Sequence, residues 1–330
     1  MGKRVTIIGD GGWGTALAMV LVKNGHDVTV WGPFPEYITE ITVTSENRTY
    51  LPGVALPPEI LWTADRAEAV SEAEVVVLAS PTRFFRSVAD SFADSIAPGV
   101  SVVSVAKGLD ENTHERMTQV AASVLGRSCV AALSGPSHAE EVSRGIPTAV
   151  VIASRDASQS EELQDLFASP LFRVYTSADT IGVELGGALK NVIAIAVGLS
   201  DGLGFGDNTR AALITRGLAE IARLGCAMGA EPATFSGLSG MGDLIVTCTS
   251  RYSRNRAVGE RLGKGESIGQ ILDGMKQVAE GVWNCASARA LAREHGVEAP
   301  ISEEVCAIIH DGKEPSEAVG TLLGRDFKPE

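Results

Sequence analysis

The run Arg4-Val-Thr-Ile-Ile-Gly9-Asp10-Gly11-Gly12-Trp13-Gly14-Thr-Ala-Leu-Ala18 decides the fold of this chain. Val5 to Ile8 is a short apolar segment that reads as a buried strand, and an alanine-rich helix follows the glycines at once. Between them stands G-x-G-x-x-G on Gly9, Gly11 and Gly14, in the strand-turn-helix setting that gives the pattern meaning. Glycine is needed there because the backbone must turn tightly, approach a pyrophosphate closely and aim helix amides at its charge. A glycine-rich turn without a ligand carries the same letters, but its place at the head of a βαβ pattern favours a dinucleotide.

Outward from that loop the first half alternates. Asp27 to Trp31, Glu74 to Ala79, Val100 to Val105, Cys129 to Leu133, Thr148 to Ala153 and Phe172 to Tyr175 read as further strands with helical segments between them. This is the pattern of a parallel sheet with crossover helices. The first helix, Thr15 to Lys23, closes at Asn24-Gly25 as a C-cap should. From about Ile181 helical periodicity takes over, in Gly182 to Leu199, Asn208 to Leu224, Ser267 to Met275, Val282 to Glu294 and Ser302 to His310. Gly225, Gly296 and Gly312 fit positions just past helix ends, and Ser302 after Pro300-Ile301 fits an N-cap. The expectation is an α/β chain: an N-terminal Rossmann-type doubly wound sheet over 1–180, followed by an all-helical C-terminal domain over 181–330.

Composition narrows the function. The 330 residues hold 28 Lys plus Arg against 41 Asp plus Glu, a net charge of −13, with 45% hydrophobic residues. A negative field repels polynucleotide backbones, so no nucleic-acid partner is expected, although a few local cations can still hold a small anion. The five cysteines are far apart, with no CxxC and no histidine pair at ligand spacing, so they read as reduced, mostly buried thiols of a cytoplasmic protein with no metal. The longest apolar run, around Val192 to Leu199, is far too short for the ~20 residues of a membrane span, so no integral membrane segment is expected. Met1-Gly2 with Thr6 matches a myristoylation pattern, yet Val5 to Ile8 reads better as a strand.

Four further segments carry candidate chemistry. Lys190 is a single cation within Gly182 to Val197, among small and aliphatic residues; burial would lower its proton affinity toward acid/base range. A stem lying along a greasy face with its charge in water is the competing reading. Asp243, after Gly240-Met241-Gly242, would orient such a lysine or serve as a turn residue. Thr247 to Arg256 is the densest cationic patch in the chain, and Ser253-Arg254-Asn255 within it suits a phosphate monoester or a solvated turn before a helix. Lys107, and the Ser134-Gly135-Pro136-Ser137-His138-Ala139 run, follow strands at their carboxyl ends, where open α/β sheets bind ligands and where ordinary connections also lie. No histidine, His138 included, has a partner that the sequence identifies.

Taken together these motifs resemble the bacterial-type glycerol-3-phosphate dehydrogenases that use NAD or NADP. The resemblance covers nearly the whole chain: Gly9 to Ala18, Asn47 to Gly53, Ala106-Lys107-Gly108, Ser134 to Ser137, Ile181 to Ala196, Leu238 to Asn255, and Val278-Ala-Glu280-Gly281. It implies reversible hydride transfer between nicotinamide and a three-carbon phosphate, interconverting dihydroxyacetone phosphate and sn-glycerol 3-phosphate for phospholipid synthesis. By the same likeness Lys190 is the general acid/base and Asp243 and Asn191 hold the reacting end. Ser253, Arg254 and Asn255 take the substrate phosphate and, through Arg254, nearby cofactor groups, while Lys107, Gly135 and Ser137 complete the substrate pocket. Gly9, Gly11, Gly12, Trp13 and Gly14, with Lys107 and Ala139, are implied on the cofactor, and Val278 and Glu280 on its nicotinamide side.

The departures concern the cofactor. Asp10 and Gly12 stand where the family often has Ala and Ser. The second strand should end in an acid if ribose hydroxyls are held in the NAD manner. Here Gly32-Pro33-Phe34-Pro35 follows, and the first acid is Glu36. Neither that acid nor an arginine for a 2′-phosphate is in place, so NAD and NADP both stay open. The alternatives are a related two-domain reductase of the 3-hydroxyacid or ketopantoate type, which has little use for Ser253-Arg254-Asn255, and a dinucleotide sensor, which needs no Lys190. Oligomeric state is not legible, and a homodimer stays open.

Overall fold

The computed structural model describes residues 2–275 and 277–326; Met1, the first residue of the Met1-Gly2 pattern, lies outside them. Two compact units are formed, one by the chain up to Asp110 with Glu115–Glu184, the other by Glu111–His114 with the chain from Leu185 onward. The expected boundary near residue 180 compares with a division after Glu184, inside the helix Thr180–Gly202.

The first unit holds one eight-stranded sheet: β1 (Arg4–Ile8), β2 (Asp27–Trp31), β3 (Leu61–Thr63), β4 (Val75–Leu78), β5 (Ser101–Ser104), β6 (Ala131–Ser134), β7 (Thr148–Ala153) and β8 (Phe172–Ser177). Their order is β3-β2-β1-β4-β5-β6-β7-β8. Val75 to Leu78 is wholly buried, as a central strand covered on both faces must be. The chain reverses its direction of winding between β1 and β4, so the carboxyl end of β1 opens on the crevice where such sheets take ligands. The glycine loop begins there.

Two features depart from the sequence reading. β3 is a three-residue edge strand with Leu61 exposed, too short to show a period of its own. β7 runs antiparallel to β6, whereas the other neighbours are parallel. The connection after β6 carries only the one-turn helix Ala139–Val142, about 6 Å long, and the chain re-enters the sheet from the end at which β6 leaves it. The Ala157–Phe167 helix rises about 16 Å, and β8 is again parallel to β7.

The second unit is helical among its described residues. The Thr180–Gly202 helix is long and apolar enough to cross a membrane, but 94% of its most apolar stretch is buried inside the protein, the mark of a core helix. It crosses the Arg254–Gly263 helix on paired glycines: a Cβ on Gly198 would lie 2.0 Å from the Arg256 carbonyl oxygen, and one on Gly259 2.0 Å from that of Ile195. Two helix-end readings need correction. Gly225 lies inside the helix Asp207–Ala227, where a Cβ would strike the Phe235 ring at 2.1 Å; the left-handed residue past that helix is Gly229. Ser302 is not an N-cap either. The helix starts at Pro300, and the buried Glu220 carboxylate accepts from the Ile301 and Ser302 amides at 2.6 and 3.2 Å, capping it from outside. Gly296 and Gly312 are left-handed just past their helices, as expected.

Candidate active site

In the first unit the three motif glycines divide the labour. Gly9, at φ 130°, has a backbone that side chains rarely tolerate, and a Cβ there would meet the Ala79 carbonyl at 2.8 Å. A Cβ on Gly14 would lie 2.2 Å from the Gly9 oxygen, so that glycine lets the helix press on the strand. Around Gly11 there is open space: nothing stands within 4 Å of where its Cβ would be. Gly11 also begins the helix Gly12–Lys23 with no side-chain cap, so the first-turn amides keep their capacity for an anion. These features fit the pyrophosphate of a dinucleotide.

The loop is braced by a residue to which the sequence reading gave no individual role. Asn47, fully buried, donates from Nδ2 to the Asp10 carbonyl and the Thr15 hydroxyl, both at 2.8 Å, while its Oδ1 accepts from the Tyr37 hydroxyl at 2.5 Å and the Tyr50 amide at 3.0 Å. All four of those hydrogen bonds stay within the unit and fix the Asn47–Gly53 segment over the glycines. Gly12 is glycine because the Tyr50 carbonyl would lie 2.6 Å from a Cβ there. The Ala139 Cβ would stand 3.7 Å from that same position. Trp13 is half-buried, and its indole N–H has no hydrogen-bond partner among the described residues.

At the carboxyl ends of β5 and β6, Lys107 Nζ donates to the Gly135 carbonyl at 2.7 Å and to the Ser137 hydroxyl at 3.2 Å, and that hydroxyl donates to the same carbonyl at 2.9 Å. Gly135 is at φ 132°. Lys107, Gly135 and Ser137 therefore come together as one polar group.

The second unit holds the lysine. Lys190 is 5% exposed, and its Nζ donates to Asp243 Oδ1 and to Thr247 Oγ1, both at 2.7 Å. The stem-in-grease reading is excluded, because the charge is buried with its partners. Asp243 is 0% exposed and opens the helix Asp243–Thr249 after a turn of π-helix at Leu238–Gly242. That turn presses on the lysine's own helix: a Cβ on Gly186 would lie 2.4 Å from the Ser239 carbonyl. Thr247, one turn beyond Asp243, was missed by sequence reasoning, although the i, i+4 spacing places the two on one helix face. Burial alone does not describe this lysine, since a carboxylate and a hydroxyl meet its Nζ.

Asn191, beside Lys190, accepts at Oδ1 from Asn255 Nδ2 at 2.9 Å, and Asn255 Oδ1 accepts from the Gly281 amide at 2.9 Å. Both functional groups of Asn255 are thus engaged in tying together three helices, and they set the start of Gly281–Glu294 just after Val278 and Glu280. Ser253 is the N-cap of Arg254–Gly263, its Oγ accepting from the Arg256 amide at 3.2 Å. Arg254 is exposed at the first position of that helix. A cation beside a helix N-terminus is a setting for a phosphate.

The cysteines are all free thiols. Folding brings Cys285, Cys306 and His310 together, their ligand atoms all within 4.8 Å of one another, a grouping that sequence spacing did not reveal.

Comparison with known proteins agrees along the whole chain. Residues 4–160 match the family model described as NAD-dependent glycerol-3-phosphate dehydrogenase N-terminus, and residues 179–320 match its C-terminus. A glycerol-3-phosphate dehydrogenase [NAD(P)+] of Moorella thermoacetica is 52% identical, over 98% of this chain and 97% of its own. The crystal structure of glycerol-3-phosphate dehydrogenase from Coxiella burnetii is 37% identical, with a TM-score of 0.95 over 98% of this chain and 99% of that one. A PanE/ApbA family ketopantoate reductase from Ralstonia eutropha shares the fold alone, at 16% identity and a TM-score of 0.62 over 96% of this chain and 99% of that one. The chain belongs to the NAD-dependent glycerol-3-phosphate dehydrogenase family.

Proposed function

We propose that this chain catalyses the reversible, NAD(P)-dependent interconversion of dihydroxyacetone phosphate and sn-glycerol 3-phosphate, with residues 1–180 binding the dinucleotide and 181–330 supplying catalysis. The observation that carries the reading is the buried Lys190 ammonium held between Asp243 and Thr247. When bound, the reduced nicotinamide supplies the hydride to C2 of the ketone. Lys190 donates a proton to the C2 carbonyl oxygen as negative charge gathers there, and takes it back in the reverse direction. Asp243 fixes the direction of the amine, and Thr247 holds it from a second side. Because the site is buried, these charges act with little screening.

Arg254 and the Ser253 hydroxyl at the helix N-terminus suit the substrate phosphate, and Lys107 with Gly135 and Ser137 suits a polar end of the substrate or cofactor. Asn191 and Asn255 hold each other and the Gly281 amide, which steadies the start of the helix that follows Val278 and Glu280; the nicotinamide role of those two residues rests on the family likeness. Gly9, Gly11, Gly12, Trp13, Gly14 and Ala139 form the pyrophosphate cradle. A cytoplasmic location, supply of glycerol phosphate to phospholipid synthesis and a homodimer belong to the same reading and rest on the family likeness.

The test is the loss of reduced-nicotinamide absorbance when purified protein meets dihydroxyacetone phosphate. Oxidation that stops without the phosphorylated ketone supports the reading. Folded, dinucleotide-binding protein that oxidises neither NADH nor NADPH with this substrate refutes it.

A further inference from the structure

The acid that β2 lacks is supplied from the glycine loop. β2 ends at Trp31, and the next residue, Gly32, stands where an acid would project to hold adenosine ribose. An ideal Cβ on Gly32 would lie 2.4 Å from Asp10 Oδ2 and 2.6 Å from Asp10 Cγ. The Asp10 carboxylate therefore fills the space that the missing side chain would take. It is 8% exposed, and its Oδ2 has no hydrogen-bond partner among the described residues. A buried acceptor without a donor is costly, and it is an unusual thing for a fold to keep unless a ligand completes it. Its backbone is fixed as well, since the Asp10 carbonyl is held by Asn47.

The segment that follows β2, Gly32-Pro33-Phe34-Pro35-Glu36, offers no cation for a phosphate. The neighbouring titratable groups are Tyr37 and Tyr50, whose rings meet edge to face at 5.8 Å; burial first, and the Asp10 charge after it, make both hydroxyls harder to ionise. We propose that Asp10 is the acceptor for the adenosine ribose hydroxyls in this chain and selects NADH over NADPH, whose 2′-phosphate would be brought against a buried carboxylate. This rests on the dinucleotide reading above and adds the preference that the sequence left open.

Equilibrium binding tests it without turnover. Isothermal titration of the full chain with NADH, NADPH and reduced nicotinamide mononucleotide, which has no adenosine, should give NADH at least about tenfold tighter than NADPH. Asp10→Ala should weaken NADH by about tenfold and bring the NADH to NADPH ratio near one, with the mononucleotide unchanged within about twofold. Asp10→Asn, which keeps the shape and removes the charge, should narrow the ratio from the NADPH side, and it serves if the alanine variant fails to fold. A wild-type preference for NADPH, or a ratio that neither substitution moves, overturns the proposal while dinucleotide binding stands. Wild-type protein that binds neither dinucleotide overturns the dinucleotide reading itself, and this proposal with it.

Discussion

Replacing Asp10 by Asn should stabilise the dinucleotide-free protein, and by an amount that depends on pH. Burial pushes the Asp10 carboxyl from its ordinary 3.8 up to about 6, with a backbone hydrogen bond pulling weakly the other way. At about 1.4 kcal/mol per tenfold change in proton affinity, the shift corresponds to roughly 3 kcal/mol. The sign follows from proton counting. Between the ordinary and the raised value the folded chain binds more protons than the unfolded chain, so stability falls as pH rises through that window and is lowest above it. The start of the adjacent helix favours an anion by about 0.3–1 kcal/mol, which trims the cost without reversing it. Asp10→Asn should therefore gain up to about 3 kcal/mol at about pH 8, or roughly 6–12 °C in the midpoint of the first unit, and almost nothing at about pH 4. Calorimetric scans of both proteins across that range, without dinucleotide, measure it. A gain that is the same at both ends, or a loss at about pH 8, would refute the assignment of a carboxylate raised by burial.

Arg254→Ala should raise KM for dihydroxyacetone phosphate by about tenfold or more and leave KM for dihydroxyacetone nearly unchanged, since only the phosphorylated ketone would lose a charge-assisted contact; equal effects on both ketones would remove its phosphate role. Gly259→Leu drives a side chain into the Ile195 carbonyl, where even a Cβ would sit at 2.0 Å. It should cost more than about 3 kcal/mol or abolish folding, read by urea denaturation, and a variant with wild-type stability would deny the close helix crossing. Arg116→Met leaves the buried Glu184 carboxylate without its ion-pair partner, although the Thr118 amide and hydroxyl still donate to it at 2.8 and 2.6 Å. The expected loss is about 3–5 kcal/mol, and an unchanged denaturation midpoint would contradict it.

Much of this molecule is written in local patterns. The continuous apolar strands around Val75 to Leu78, the glycine loop and the long helix bearing Lys190 are each set by residues close in sequence, so periodicity and turn chemistry reveal them. What stays hidden is set by contacts distant in sequence. Gly225 looks like a helix end, and only the Phe235 ring against it shows why it is glycine mid-helix. Ser302 looks like an N-cap, yet a carboxylate from Glu220 does the capping. Asp243 and Thr247 can be paired on a helix face from spacing, whereas their meeting with Lys190 depends on the π-turn and on Gly186. Asp10 was the least legible of all. As a letter it is a harmless substitution in a glycine loop, and it acquires meaning only beside Gly32.

The central claim is that Lys190, held by Asp243, is the proton donor and acceptor of the reaction. Steady-state oxidation of NADH by dihydroxyacetone phosphate, measured for the wild type and Lys190→Ala together with NADH affinity for each, tests it most directly. The account predicts that kcat falls by about 10²- to 10⁴-fold while NADH binding changes by no more than about threefold. A Lys190→Ala protein that turns over within about threefold of the wild type would contradict it.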